Sequence, residues 1–237
     1  GRAAEGQVAA RGGLSATRRT MTGPADPTSP AAPAYLALGD SYTIGEGVEP
    51  AGRWPVQLAA ALRGEGIAIA DPRIIATTGW TTDELDAGID SAHSQAAIGH
   101  DHALVSLLVG VNNQYRGRPL DEFRVQFAAL LQRAVAFAGG DPRRVLVLAI
   151  PDWGVTPFAF AQSRDAGLVG AQVDAFNAVC REEAARAGAH WIDIAPVSRA
   201  RGGEAGMLAD DGLHPSAAMY ALWTAQALPA ARQALGR

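Results

Sequence analysis

Five short runs rich in Val, Ile, Leu and Ala, at 34–38, 67–76, 103–109, 144–150 and 190–194, alternate with longer stretches of helical periodicity. Runs of this length and composition fit strands buried on both faces. In 120–138, Leu120, Phe123, Phe127, Leu130, Leu131, Ala134 and Ala138 form one apolar stripe. In 166–187, Val169, Val173, Phe176, Cys180, Ala184 and Ala187 form another. The alternation predicts an α/β fold, a five-stranded parallel sheet between two helical layers. Cys180, on the second stripe, reads as a small core residue and not as a nucleophile. In such sheets ligands bind beyond the carboxyl ends of the strands, so the loops there are where chemistry is expected.

Residues 1–33 differ from the rest. They are rich in Ala, Gly, Arg and Pro, and Pro24, Pro27, Pro30 and Pro33 recur every third residue, a spacing suited to an extended polyproline-type segment. The expected domain is therefore 34–237. Arg18-Arg19 is followed by no apolar stretch, so an export signal is not read there, and cytoplasmic residence is the default expectation. No apolar run reaches the roughly 18–20 residues that span a bilayer, so no integral membrane segment is expected. All 20 basic residues are arginine, against 24 acidic ones. The missing lysine removes Schiff-base chemistry and the lysine of phosphate-binding loops. The net charge of −4 argues against a nucleic-acid surface. One cysteine forms neither an internal disulfide nor a cysteine metal cluster.

The first strand runs into Gly39-Asp40-Ser41-Tyr42. A serine directly after a strand exposes its hydroxyl and aims its own N–H at a substrate oxygen. The plainer reading is a turn in which Asp40 or Ser41 caps the next helix. A serine nucleophile needs a base, and the base an orienting acid. His100 and His102 flank Asp101 at the amino end of the third strand, away from the expected site, with no third metal ligand nearby. His93 and His190 have no evident partner. His214 stands in Asp211-Gly212-Leu213-His214-Pro215, where a tight turn lets Asp211 accept from one imidazole nitrogen and leaves the other facing outward. Pro215 suits the first position of the last helix and places His214 at its start. The third strand leads to Gly110-Val111-Asn112-Asn113, and an asparagine side chain can donate to a developing oxyanion. Gly79, after the second strand, offers a backbone donor.

These blocks, Gly39-Asp40-Ser41, Gly79, Gly110-Val111-Asn112-Asn113 and Asp211-Gly212-Leu213-His214, resemble in order the four blocks of the SGNH (GDSL) hydrolase family, from about residue 34 to the C-terminus. The resemblance implies a flavodoxin-like three-layer α/β/α sandwich and hydrolysis of a small-molecule ester without metal or cofactor. Ser41 matches the nucleophile, His214 the base and Asp211 the orienting acid. The Ser41 and Gly79 N–H groups and the Asn112 side chain match the oxyanion hole. The family usually has Asp where this chain has Asn113. Trp80, Asn113, Tyr115, Trp153 and Phe158, with Phe160, stand on loops where they would line a substrate site or form a packed lid; both readings are open. Two other classes compete with this reading. A flavin site at Ser41-Tyr42-Thr43-Ile44-Gly45 leaves Asp211 and His214 without a role and sets Asp40 and Glu46 against a phosphate. A non-catalytic binding protein of this fold has no need of Ser41, Asp211, His214 and Asn112 together.

Overall fold

The protein is described, over residues 30–237, by a computed structural model. The expected N-terminal segment therefore lies outside the described residues except for its last four. Tyr35–Gly39 forms β1, every residue of it buried. It pairs in parallel with Arg73–Ala76 (β2) on one side and Leu104–Leu108 (β3) on the other. Val145–Leu148 (β4) pairs with β3, and His190–Ile192 (β5) with β4, giving a parallel sheet of order β2-β1-β3-β4-β5. This is the flavodoxin-like order, whose switch point lies between β1 and β3.

The helices are Ser41–Ile44 (α1), Trp54–Gly64 (α2), Thr82–Gln95 (α3), Val111–Tyr115 (α4), Leu120–Phe137 (α5), Pro157–Ala161 (α6), Ala166–Ala187 (α7), Ala195–Arg201 (α8) and Ala217–Ala234 (α9). The long ones cover both faces of the sheet. α2 packs on α9, and α5 packs between α3 and α7, completing a three-layer α/β/α sandwich. Trp54, Tyr220 and Trp223 are fully buried in the first layer, and Phe123 and Phe176 meet in the second with ring centroids 4.7 Å apart. Each such side chain contributes about 1.5–3 kcal/mol by leaving water. Cys180 is buried, and burial pushes its thiol up, as its place on the α7 stripe predicts. Among the described residues no helix is long and apolar enough to cross a membrane.

The structure differs from the sequence reading at several edges, among them the end of β5, which stops at Ile192 and not at 194. Of the run 67–76 only Arg73–Ala76 is strand, because Pro72 has no N–H for a ladder and pairing starts just after it. Ala149 and Ile150 lie past the end of β4, where the Asn177 amide both accepts from Ile150 N–H and donates to its carbonyl. Leu120, placed on the apolar stripe, is 37% exposed at the first turn of α5. The last helix begins at Ala217 with Ser216 as its cap, so neither Pro215 nor His214 is part of it.

Candidate active site

β1 meets α1 with almost no space between them. A Cβ at Gly39 would fall 2.3 Å from Thr43 Oγ1 and 2.5 Å from the Leu108 carbonyl, so only glycine fits. The chain turns at once into α1, whose cap is Asp40, its Oδ1 accepting from Tyr42 N–H at 3.0 Å. The capping reading of Asp40 is correct, and it leaves Ser41 as the first helical residue. The N–H groups of Thr43, Ile44 and Gly45 are bonded to the carbonyls of Asp40 and Ser41. They are not free to cradle a phosphate, which removes the support for a flavin loop here.

Ser41 and His214 line one cleft of about 230 Å³ at the carboxyl ends of β1, β2 and β3, together with Gly79, Asn112 and an aromatic wall. Neither Ser41 Oγ nor His214 Nε2 makes a hydrogen bond among the described residues, including to each other; such contacts commonly tighten only when substrate binds. His214 is held from behind. Its Nδ1 meets Asp211 Oδ2 at 2.5 Å, while Asp211 Oδ1 accepts from the Leu213 and His214 N–H groups, each at 2.9 Å. Ala209 N–H closes the turn on the His214 carbonyl, and the Tyr42 ring packs against the imidazole at 5.7 Å. Partial burial works against the Asp211 carboxylate, yet the His214 hydrogen bond and the two N–H donors outweigh it and hold its pKa below the ordinary value. The loop, and not a helix end, is therefore what orients His214.

The loop after β2 is fixed by α4. Gly79 has φ +90°, a left-handed conformation that suits glycine. Its carbonyl accepts from Arg116 Nη2 at 2.6 Å, and the next carbonyl, of Trp80, accepts from Asn112 Nδ2 at 2.9 Å. One amide hydrogen of Asn112 is thus committed to the loop, and its second is left for the cleft.

Two residues read as lining the cleft do not. Trp80 turns toward α3, where a Cβ on Gly88 would lie 2.2 Å from its ring. Asn113 is fully buried. Its Oδ1 accepts from Thr82 N–H at 3.1 Å, and its Nδ2 donates to Thr82 Oγ1 at 2.8 Å. A neutral amide that donates and accepts fits a site closed to water, where a carboxylate would lose hydration. Tyr115, Trp153 and Phe158 do line the cleft, while Phe160 is 87% exposed. Thr78, Val111 and Leu213 also line it, and nothing in the sequence marks them. His100 and His102 bond the carbonyls of Ala136 and Phe137, at the far end of the sheet. A wider groove of about 500 Å³ beside α7 and α8 contains neither serine nor histidine.

Fold and cleft together define a serine hydrolase of the α/β/α class that acts on esters. The sequence matches the GDSL-like lipase/acylhydrolase family over residues 37–222, and the chain belongs to that family. No curated protein matches the chain. Among solved structures, TesA is 22% identical with a TM-score of 0.65, covering 85% of this chain and 99% of its own. The psychrotrophic esterase EstA from Pseudoalteromonas sp., in a structure inhibited by monoethylphosphonate, is 16% identical with a TM-score of 0.64, covering 86% and 99%. Phospholipase A1 from Streptomyces albidoflavus NA297 is 19% identical with a TM-score of 0.59, covering 86% and 99%. At these identities the likeness is one of fold.

Proposed function

We propose that the protein cleaves carboxylic esters through an acyl-enzyme formed on Ser41. His214 Nε2 takes the Ser41 proton as Oγ attacks the acyl carbonyl, and then gives it to the departing alcohol. Water repeats the cycle in reverse and frees the acid. Asp211, an ionised carboxylate in the working range, holds His214 in the tautomer with a proton on Nδ1 and stabilises the imidazolium. The Ser41 and Gly79 N–H groups and the second Asn112 amide hydrogen receive the oxyanion. The observation that carries this reading is the Asp211–His214 pair at 2.5 Å, with His214 sharing one cleft with Ser41.

The test is covalent labelling. EstA is described with monoethylphosphonate, and a fluorophosphonate should likewise add one phosphonyl group to this chain, at Ser41. Ser41→Ala should abolish both the label and the turnover of a chromogenic ester, with an unchanged melting temperature. Labelling at another residue, or activity of Ser41→Ala within tenfold of wild type, overturns the assignment.

A further inference from the structure

We infer that Arg164 is a recognition residue for an anionic group, carboxylate or phosphate, carried by the ester beyond the cleft; this rests on the ester-hydrolase reading above. The cleft is walled by three rings in edge-to-face contact, Tyr115 with Trp153 at 5.5 Å and Trp153 with Phe158 at 6.4 Å. The wall is rigid, because Trp153 Nε1 donates to Gln114 Oε1 at 2.8 Å and Gln114 in turn donates to Gln172. At about 230 Å³ the cleft is smaller than the roughly 300–1,000 Å³ of sites for drug-sized ligands, so the remainder of a longer substrate leaves over the rim.

Arg164 stands at that rim. Its guanidinium carbon lies 5.1 Å from the Tyr115 centroid and 5.9 Å from that of Trp153, and the residue is exposed. The adjacent carboxylate, Asp165, is committed elsewhere, capping α7 through Leu168 N–H. Among the described residues Arg164 forms no ion pair. Stacking at an exposed site is a weak attraction, less than the rotamer freedom that an ordered arginine gives up. The turn that delivers it is itself strained. Ser163, with φ +53°, is the one non-glycine residue of left-handed φ among the described residues, a conformation that L residues other than glycine adopt at a cost. Arg164 N–H and Ser163 N–H close this turn on the Ala159 and Phe160 carbonyls. The ring contacts use none of its N–H donors, and among the described residues no hydrogen bond takes them, which leaves the fork that grips a carboxylate or phosphate in bidentate fashion available.

Two substrate pairs test this. The first is para-nitrophenyl butyrate against para-nitrophenyl hemiglutarate, with the charge on the acyl side. The second is monobutyrylglycerol against monobutyrylglycerol phosphate, with the charge on the alcohol side. In at least one pair, Arg164→Gln should lower the charged-to-neutral ratio of kcat/KM by about fivefold or more, and Arg164→Lys should lower it less. The pair that responds tells which side of the scissile bond passes the rim. A ratio changed less than twofold in both pairs overturns the inference. A binding arm is independent of turnover. In the Ser41→Ala background, tryptophan fluorescence titrated with monomethyl glutarate and with glycerol phosphate should show Arg164→Gln weakening one of them by the same factor. Equal affinities, or no binding by either protein, overturn it as well. Failure of the esterase reading alone would instead appear as lost turnover of both neutral esters with anion binding intact. Thermal melts confirm that the variants are folded.

Discussion

Asp210 and Asp211 are adjacent, and only Asp211 reaches His214, spending both its oxygens on one three-residue turn. Asp211→Asn should therefore lower kcat strongly, by up to about 10⁴ if it enforces the tautomer as an orienting acid does in serine proteases. Asp210→Asn should stay within a few-fold of wild type. Steady-state kinetics of the two variants decide the point, and a larger loss in Asp210→Asn would contradict the assignment. This pair was legible in the sequence because its geometry is local: three residues across one turn need no knowledge of the fold. Asn113 and Trp80 were not legible in this way. Each answers to a partner brought close only by folding, Thr82 for Asn113, 31 residues away, and the α3 surface at Gly88 for Trp80. Arg164 gave no signal at all, since its position depends on a serine adopting a conformation that its sequence neighbourhood does not demand.

At the scale of elements, periodicity placed the long helices well. α5 and α7 span Leu120–Phe137 and Ala166–Ala187, close to the periodic stretches 120–138 and 166–187. What periodicity cannot place is a boundary set by a single backbone donor, as at Pro72 before β2, or by a turn that delays a helix, as before α9. The contact between α4 and the loop after β2 belongs to this second class. Arg116, just past α4, ties that loop down: it donates to the Gly79 carbonyl and pairs with Glu84, whose Oε2 accepts from Thr81 N–H. If the Gly79 N–H serves the oxyanion, its direction depends on this clamp. Arg116→Met should then lower kcat by roughly tenfold with KM little changed, less than the 10²–10³ lost when an oxyanion donor is removed outright. Arg116→Lys should recover part of the loss. A change mainly in KM would place Arg116 in ground-state binding instead.

The stability of the whole domain against pH turns on a residue beside the site. Asp40 is completely buried, its Oδ1 bonded to Tyr42 N–H and its Oδ2 without a partner. Burial pushes its carboxyl from 3.8 up to about 7, offset only in part by the Tyr42 and Gly110 N–H groups. Tyr42 and Tyr220 face it, and burial pushes both phenols up, so they stay neutral throughout. Because the folded pKa of Asp40 lies above the unfolded one, its contribution is fully present below about pH 4 and is lost as pH rises through 7. A three-unit difference corresponds to at most about 4 kcal/mol. Asp83, Glu84, Asp141 and Asp211 act in the opposite sense, with pKa values held low, so what they contribute is lost only as pH falls through the acid range. Across pH 5 to 8 these carboxylates stay ionised, and comparing an Asp40 variant with wild type removes what the rest of the molecule contributes in common. Asp40→Asn keeps an acceptor for Tyr42 N–H and cannot ionise. Its melting temperature relative to wild type should rise steadily across that interval, by several degrees in total for a domain of this size. A difference that stays constant from pH 5 to 8 would mean that Asp40 holds one charge state throughout and that its ionisation does not govern stability in this range.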